Sequence, residues 1–170
     1  MKIVPAAALV LALFAAACSD STENAAATGN AATDPSGLAG SALTGGRAGA
    51  GRPGSQEDLA ATAGDRVFFV TDSATVGADQ RPTLQKQAQW LQQYRQVQVT
   101  VEGHADERGT REYNLALGQR RANAARDILV GNGVAGTRVQ TISYGKDRPE
   151  ALGSSEEAWA QNRRAVTVVR

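Results

Sequence analysis

Between Val101 and Thr110 the chain reads VEGHADERGT, which sets His104, Asp106, Glu107 and Arg108 between two glycines at the exit of an alternating strand. Charge of both signs on one tight loop beside a sheet edge suits a small group that is itself bipolar. A carboxylate accepts from an ammonium. An arginine donates two parallel bonds to a carboxylate, which lysine cannot do in that geometry.

The helix after this loop offers the opposing wall. At about 100° per residue, Thr110, Asn114, Leu117 and Arg121 form one continuous stripe bordering the apolar face. That places Arg121 at the core's rim, its stem packed and its guanidinium available. Asp106 then faces Arg121 across a space of ligand size, and the unpaired amides at the helix start add donors for a second carboxylate. An internal salt bridge between Asp106 and Arg121, orienting loop and helix, fits the same spacing.

Positioning these groups requires a sheet and covering helices. Val67-Phe68-Phe69-Val70 reads as a short strand buried on both faces. Pro82 opens a helix with Leu84, Ala88 and Leu91 on one stripe, and Trp90 and Tyr94 beside it. Val97, Val99 and Val101 alternate with Gln98, Thr100 and Glu102 as a half-exposed strand. A helix from about Thr110 to Val130 presents Leu115, Gly118, Ala122, Ala125 and Leu129, and Gly131-Asn132-Gly133 stops it. Val139 to Tyr144 is a strand; Ser154 with Glu157 forms a capping box for a helix through Trp159; Arg164 to Arg170 closes the chain as a strand. The order β-α-β-α-β-α-β predicts a two-layer α/β sandwich. Alternation sends Arg163 and Arg164 to opposite faces, so at most one meets the cleft.

The N-terminal part has another character. Lys2, an apolar run from Ile3 to Ala17 and small residues at its end describe an export signal over 1–17, too short to span a bilayer, which takes about 20 residues. Cys18 is the only cysteine and has no internal disulfide partner. The arrangement resembles a bacterial lipoprotein signal, in which the cysteine becomes an acylated N-terminus. Ala15 stands where leucine is usual, and Ser19 after the cysteine implies sorting to the outer membrane. Residues 18–64 are mostly Ala, Gly, Ser, Thr and Asn with no apolar period, a flexible tether. The rest, 65–170, suffices for one domain. For an exported chain, the abundant ligand with a free amino-acid head is the meso-diaminopimelate of peptidoglycan stems.

Several chemistries have no support. The net charge of +1 and the lack of a basic block argue against nucleic acid. One histidine and one cysteine do not make a zinc site. No serine sits in a nucleophile elbow, and Asp106 and Glu107 are adjacent, so they diverge rather than act as a glycosidase pair. No cofactor is expected. A periplasmic amidase or metal enzyme is the alternative of a different class.

VEGHADERGTREYNLALGQRRANA, then QTISYGKDRPE and AQNRRAVTVV, resembles the peptidoglycan-associated lipoprotein family, whose OmpA-like domain is shared with outer-membrane protein A and flagellar stator proteins. The resemblance covers the chain from about Gly64. It implies that Asp106 and Arg121 hold the diaminopimelate head, that Arg108 and Asn114 line the pocket, and that Leu117 packs on the ligand's methylenes. Asp72 matches an acidic position after the first strand. Similar proteins often carry Asp where this chain has Val70, so no ligand contact is carried over there. The resemblance further implies Tol components as partners, TolB competing for the domain, and a role in envelope integrity and cell division. A generic wall-binding lipoprotein outside that system is the other reading.

Overall fold

The computed structural model describes residues 51–170. The export signal, Cys18 and the tether as far as residue 50 lie outside the described residues.

The elements run α1 (Gln56–Thr62), β1 (Arg66–Phe68), α2 (Arg81–Gln93), β2 (Val99–His104), α3 (Arg111–Gly131), β3 (Val139–Gly145), α4 (Glu156–Asn162) and β4 (Arg164–Val169). Apart from α1, this is the order read from the sequence, and a mixed α/β fold. The four strands form one sheet in the order β1-β4-β2-β3. β4 is antiparallel to both neighbours, with Val166 opposite Glu102, and β2 is parallel to β3.

The core lies between the sheet and the long helices. Val67, Val99, Val101 and Ala165 supply its strand side; Leu84, Ala88 and Leu91 from α2 and Ala122, Ala125 and Leu129 from α3 supply its helix side. One polar pair is sealed within it. Thr167 Oγ1 donates to Gln87 Oε1 at 2.8 Å, and Gln87 Nε2 donates to Gly64 O at 2.7 Å. Buried polar atoms without partners cost far more than they contribute when paired.

Glycine decides how closely α3 approaches β2. A Cβ on Gly103 would stand 1.8 Å from Gly118 O, and one on Gly118 would stand 2.8 Å from Gly103 O. Only two bare backbones fit there. This contact lays the first turns of α3 against the end of β2, beside the loop that β2 feeds.

Four expectations change. The tether does not extend to Gly64. Ser55 caps α1 by accepting from Asp58 N, Leu59 is wholly buried, and Asp58 Oδ2 accepts from Trp90 Nε1 at 3.0 Å. One large apolar side chain and these bonds anchor a segment whose composition is otherwise that of a linker. The 67–70 run is not buried on both faces either: Val67 and Phe69 point inward, whereas Phe68 and Val70 are exposed, because the strand ends at Phe68 and only one face is covered. Ser155, rather than Ser154, caps α4 by accepting from Ala158 N. On α3, Leu115 is half-buried while Asn114, Leu117 and Arg121 are buried, so the polar stripe faces inward.

Candidate functional site

The loop from Ala105 to Thr110 is held in shape by its own side chains. Asp106 Oδ1 accepts from Arg108 N at 3.2 Å, closing a turn. Thr110 caps α3 by accepting from Tyr113 N, and Asn114 Nδ2 donates to Arg108 O at 2.7 Å. Lys146 Nζ donates to Gly109 O at 2.7 Å and to Glu107 O at 3.1 Å, clamping the loop from outside. Trp159 Nε1 donates to Glu107 Oε1 at 3.1 Å, tying the loop to α4.

Asp106 is paired on two sides. Arg108 meets it with Nη2 2.6 Å from Oδ2 and Nε 3.2 Å from Oδ1, while its guanidinium lies 4.1 Å from the Trp159 ring centre. Arg163 Nη1 stands 3.5 Å from the same Oδ2. Burial pushes the carboxyl upward, but the Arg108 side-chain and backbone bonds, with Arg163 behind them, outweigh it and hold Asp106 below the usual carboxylate range. It is a carboxylate at neutral pH.

Arg121 departs from the expected rim position. It is wholly buried, and its guanidinium donates to Ser73 O at 2.8 Å, His104 O at 2.8 Å and Val70 O at 3.1 Å. Its neighbours on the helix wheel include Gly118 and Ala125, too small to hold α3 away from the sheet, so the arginine is drawn under the loops and its charge is met by carbonyl dipoles. Burial lowers it to about 10, against which Asp106 pulls upward; it remains charged at neutral pH. Three of its five N–H groups are committed, leaving two.

A cleft of about 300 Å³ joins these groups. Asp72, Asp106, Arg108, Asn114, Leu117 and Arg121, all six residues named from the sequence, line it. Asp106 takes its ion pairs from Arg108 and Arg163. Arg121 forms the floor, Arg108 an exposed side, and Leu117 an apolar wall. Asp72 sits on a turn with φ 55° and accepts from the Tyr113 hydroxyl. Thr71, Gly109 and Tyr113 also line the cleft and were not foreseen. Tyr113 was the findable one, since it falls on the first turn of the helix next to Asn114. Val70 contributes its carbonyl, while its side chain is 70% exposed. His104 is buried beneath, and neither of its ring nitrogens has a hydrogen-bond partner. Among the described residues, no three His, Cys, Asp or Glu side chains converge as a metal site would require.

A sheet with two long helices on one face and a charged loop at a strand exit is the arrangement of a known domain class. The OmpA family model matches residues 68–163, and the chain belongs to the OmpA family. Its relatives narrow this. It is 62% identical to the peptidoglycan-associated lipoprotein of Mesorhizobium japonicum over 122 residues, 72% of this chain and 73% of the relative. It is 40% identical to the peptidoglycan-associated lipoprotein of Pseudomonas aeruginosa over 166 residues, 96% and 95% of the two chains. The crystal structure of the Burkholderia pseudomallei peptidoglycan-associated lipoprotein shares 45% identity and a TM-score of 0.61, over 62% of this chain and 90% of that one.

Proposed function

We propose that this chain is a non-catalytic, lipid-anchored protein of the outer membrane's periplasmic face, which holds peptidoglycan by the diaminopimelate of its stem peptides. The observation that carries the reading is the single cleft in which a charged, largely buried Asp106 and the buried cation Arg121 share the lining without pairing to each other. A free ammonium docks at Asp106. The neighbouring carboxylate is met by Arg108, whose guanidinium is exposed at the cleft's side, and by the positive floor of Arg121 with its two uncommitted N–H groups. Leu117 and the Tyr113 ring flank the methylene chain, and Asn114 keeps the loop in register. No nucleophile or base is needed, because nothing is transformed.

The family relatives' names support the wall as partner, and their lipoprotein character supports Cys18 as the acylated residue. On the same resemblance, the protein belongs to the Tol–Pal system, where TolB competes with the wall for the domain and the assembly maintains envelope integrity during division.

Sedimentation with purified sacculi tests the ligand. Wild type pellets; Asp106→Ala and Arg121→Ala remain in the supernatant, the aspartate change costing about 2–4 kcal/mol of binding. If both variants pellet like wild type, the assignment is wrong. Labelled stem peptides should be recovered intact, and cleavage products would point to an enzyme. Capture of TolB from a periplasmic extract separates the Tol–Pal reading from a generic wall-binding protein.

A further inference from the structure

Two arginines share one oxygen of Asp106, and they differ in everything else. Arg108 is exposed, rests on the Trp159 ring and is bonded tightly, with Nη2 2.6 Å from Oδ2. Arg163, in the turn from α4 into β4, is only 6% exposed and fixed at every other point. Its Nε donates to Phe69 O at 3.1 Å, its Nη2 meets Glu156 Oε1 at 2.7 Å, and its own carbonyl accepts from Phe69 N at 2.9 Å. Its Nη1 is buried and has no hydrogen-bond partner, standing 3.5 Å from Asp106 Oδ2. A buried, uncommitted nitrogen this close to a carboxylate oxygen is a donor held in reserve.

We infer that Arg163 is the positioning residue for Asp106, holding its carboxylate toward the cleft while Arg108 exchanges it for the ligand. This rests on the ammonium-binding reading of Asp106. When an ammonium takes the place of Arg108 on Oδ2, the exposed arginine is free to meet the ligand's carboxylate, and the reserve donor of Arg163 closes on the oxygen from behind. The carboxylate thus keeps a cationic partner in both states. Arg163 cannot follow the ligand, because Phe69 and Glu156 pin it. The charged groups facing Asp106 are Arg108 and Glu107 on its own loop, Arg121 from α3, Arg163 and Glu156 from the α4 end, and Asp72 across the cleft. Of the cations, Arg163 is the one placed behind the carboxylate with a donor to spare.

The test is calorimetric titration of the full-length protein in detergent with a diaminopimelate-containing stem tripeptide, from pH 7.5 down to about pH 3, with folding followed in parallel by circular dichroism. Wild-type binding persists to about pH 4 and fades only below it, as Asp106 takes up a proton. In Arg163→Gln the affinity at pH 7.5 falls about tenfold, and the pH at which half the binding is lost moves upward, since the carboxylate has lost a cation. Arg163→Lys restores the position of that midpoint in part, because it returns charge without the fork. A purely structural role would lower the melting temperature and leave the midpoint where it was. A folded Arg163→Gln protein with wild-type affinity and an unmoved midpoint overturns the inference. Should Arg163→Gln not fold, Arg163→Lys carries the test: weaker binding supports the role, and a wild-type curve at every pH overturns it. Full binding by Asp106→Ala would instead overturn the ligand reading itself, and this inference with it.

Discussion

At the scale of single residues, the site is built on buried charge, and buried charge makes stability depend on pH. His104 is the chain's only histidine. Burial, then the proximity of Arg164, lowers it to about 4 from an ordinary 6.5. The neutral ring is the folded form, so the unfolded chain takes up the proton first. Its contribution is complete above pH 6.5 and is lost as the pH falls toward 4, a change of roughly 3 kcal/mol. Denaturant unfolding at pH 7 and pH 5 should show about 2 kcal/mol of this loss, and a His104→Leu protein should show a flatter curve across that window. Gly118→Ala is the corresponding steric test. Its Cβ would lie 2.3 Å from Ser143 Oγ and 2.8 Å from Gly103 O, one of them backbone, so a loss of about 3 kcal/mol is expected in the same assay. Asp106 and Arg121 were legible from their types and spacing at the strand exit and on the following helix, whereas Asp72 and the place of Arg108 in the pocket came from the family resemblance. The depth of Arg121 was not legible. A helix wheel shows which direction a side chain points, but not that two facing glycines let the helix sink until the guanidinium is sealed under three carbonyls.

At the scale of elements, α2, α3 and the strands were visible in their apolar runs and periods, and α4 in its capping residues. The exception is α1, which carries a single large apolar residue within a stretch of Ala, Gly and polar residues, too sparse for a period to register. What holds it is tertiary: Leu59 in the core, the Trp90 indole on Asp58, and Gln56 bridging to the end of β4 through Thr167 O and Val169 N. Leu59→Ala should therefore destabilise the fold by about 2–4 kcal/mol, measured by urea unfolding, where a tether residue would give no change. The 146–154 connection follows the same logic. Asn162 accepts from the amides of Glu150 and Ala151 and donates back to Ala151 O, an arrangement that depends on long-range closure and leaves no local signature.

For the whole molecule, the proposed function needs three parts in series: an acyl anchor at Cys18, a spacer, and the wall-binding domain. Cys18→Ala should abolish incorporation of labelled palmitate and leave sacculus binding by the domain intact; unchanged labelling would remove the anchor from the scheme. The two activities are expected to separate because the cleft is lined entirely by residues from Thr71 onward.

The position of α1 has a mechanical consequence. Gln56 is fastened at the finish of β4, next to the start of β2, whereas the cleft opens where β2 finishes and β4 starts. Traction applied at the domain's entry passes through α1 into β1 and, resisted at the cleft, runs lengthwise along the β1–β4 and β4–β2 pairs. The ladder is sheared rather than unzipped, and its bonds share the load at once instead of parting in turn.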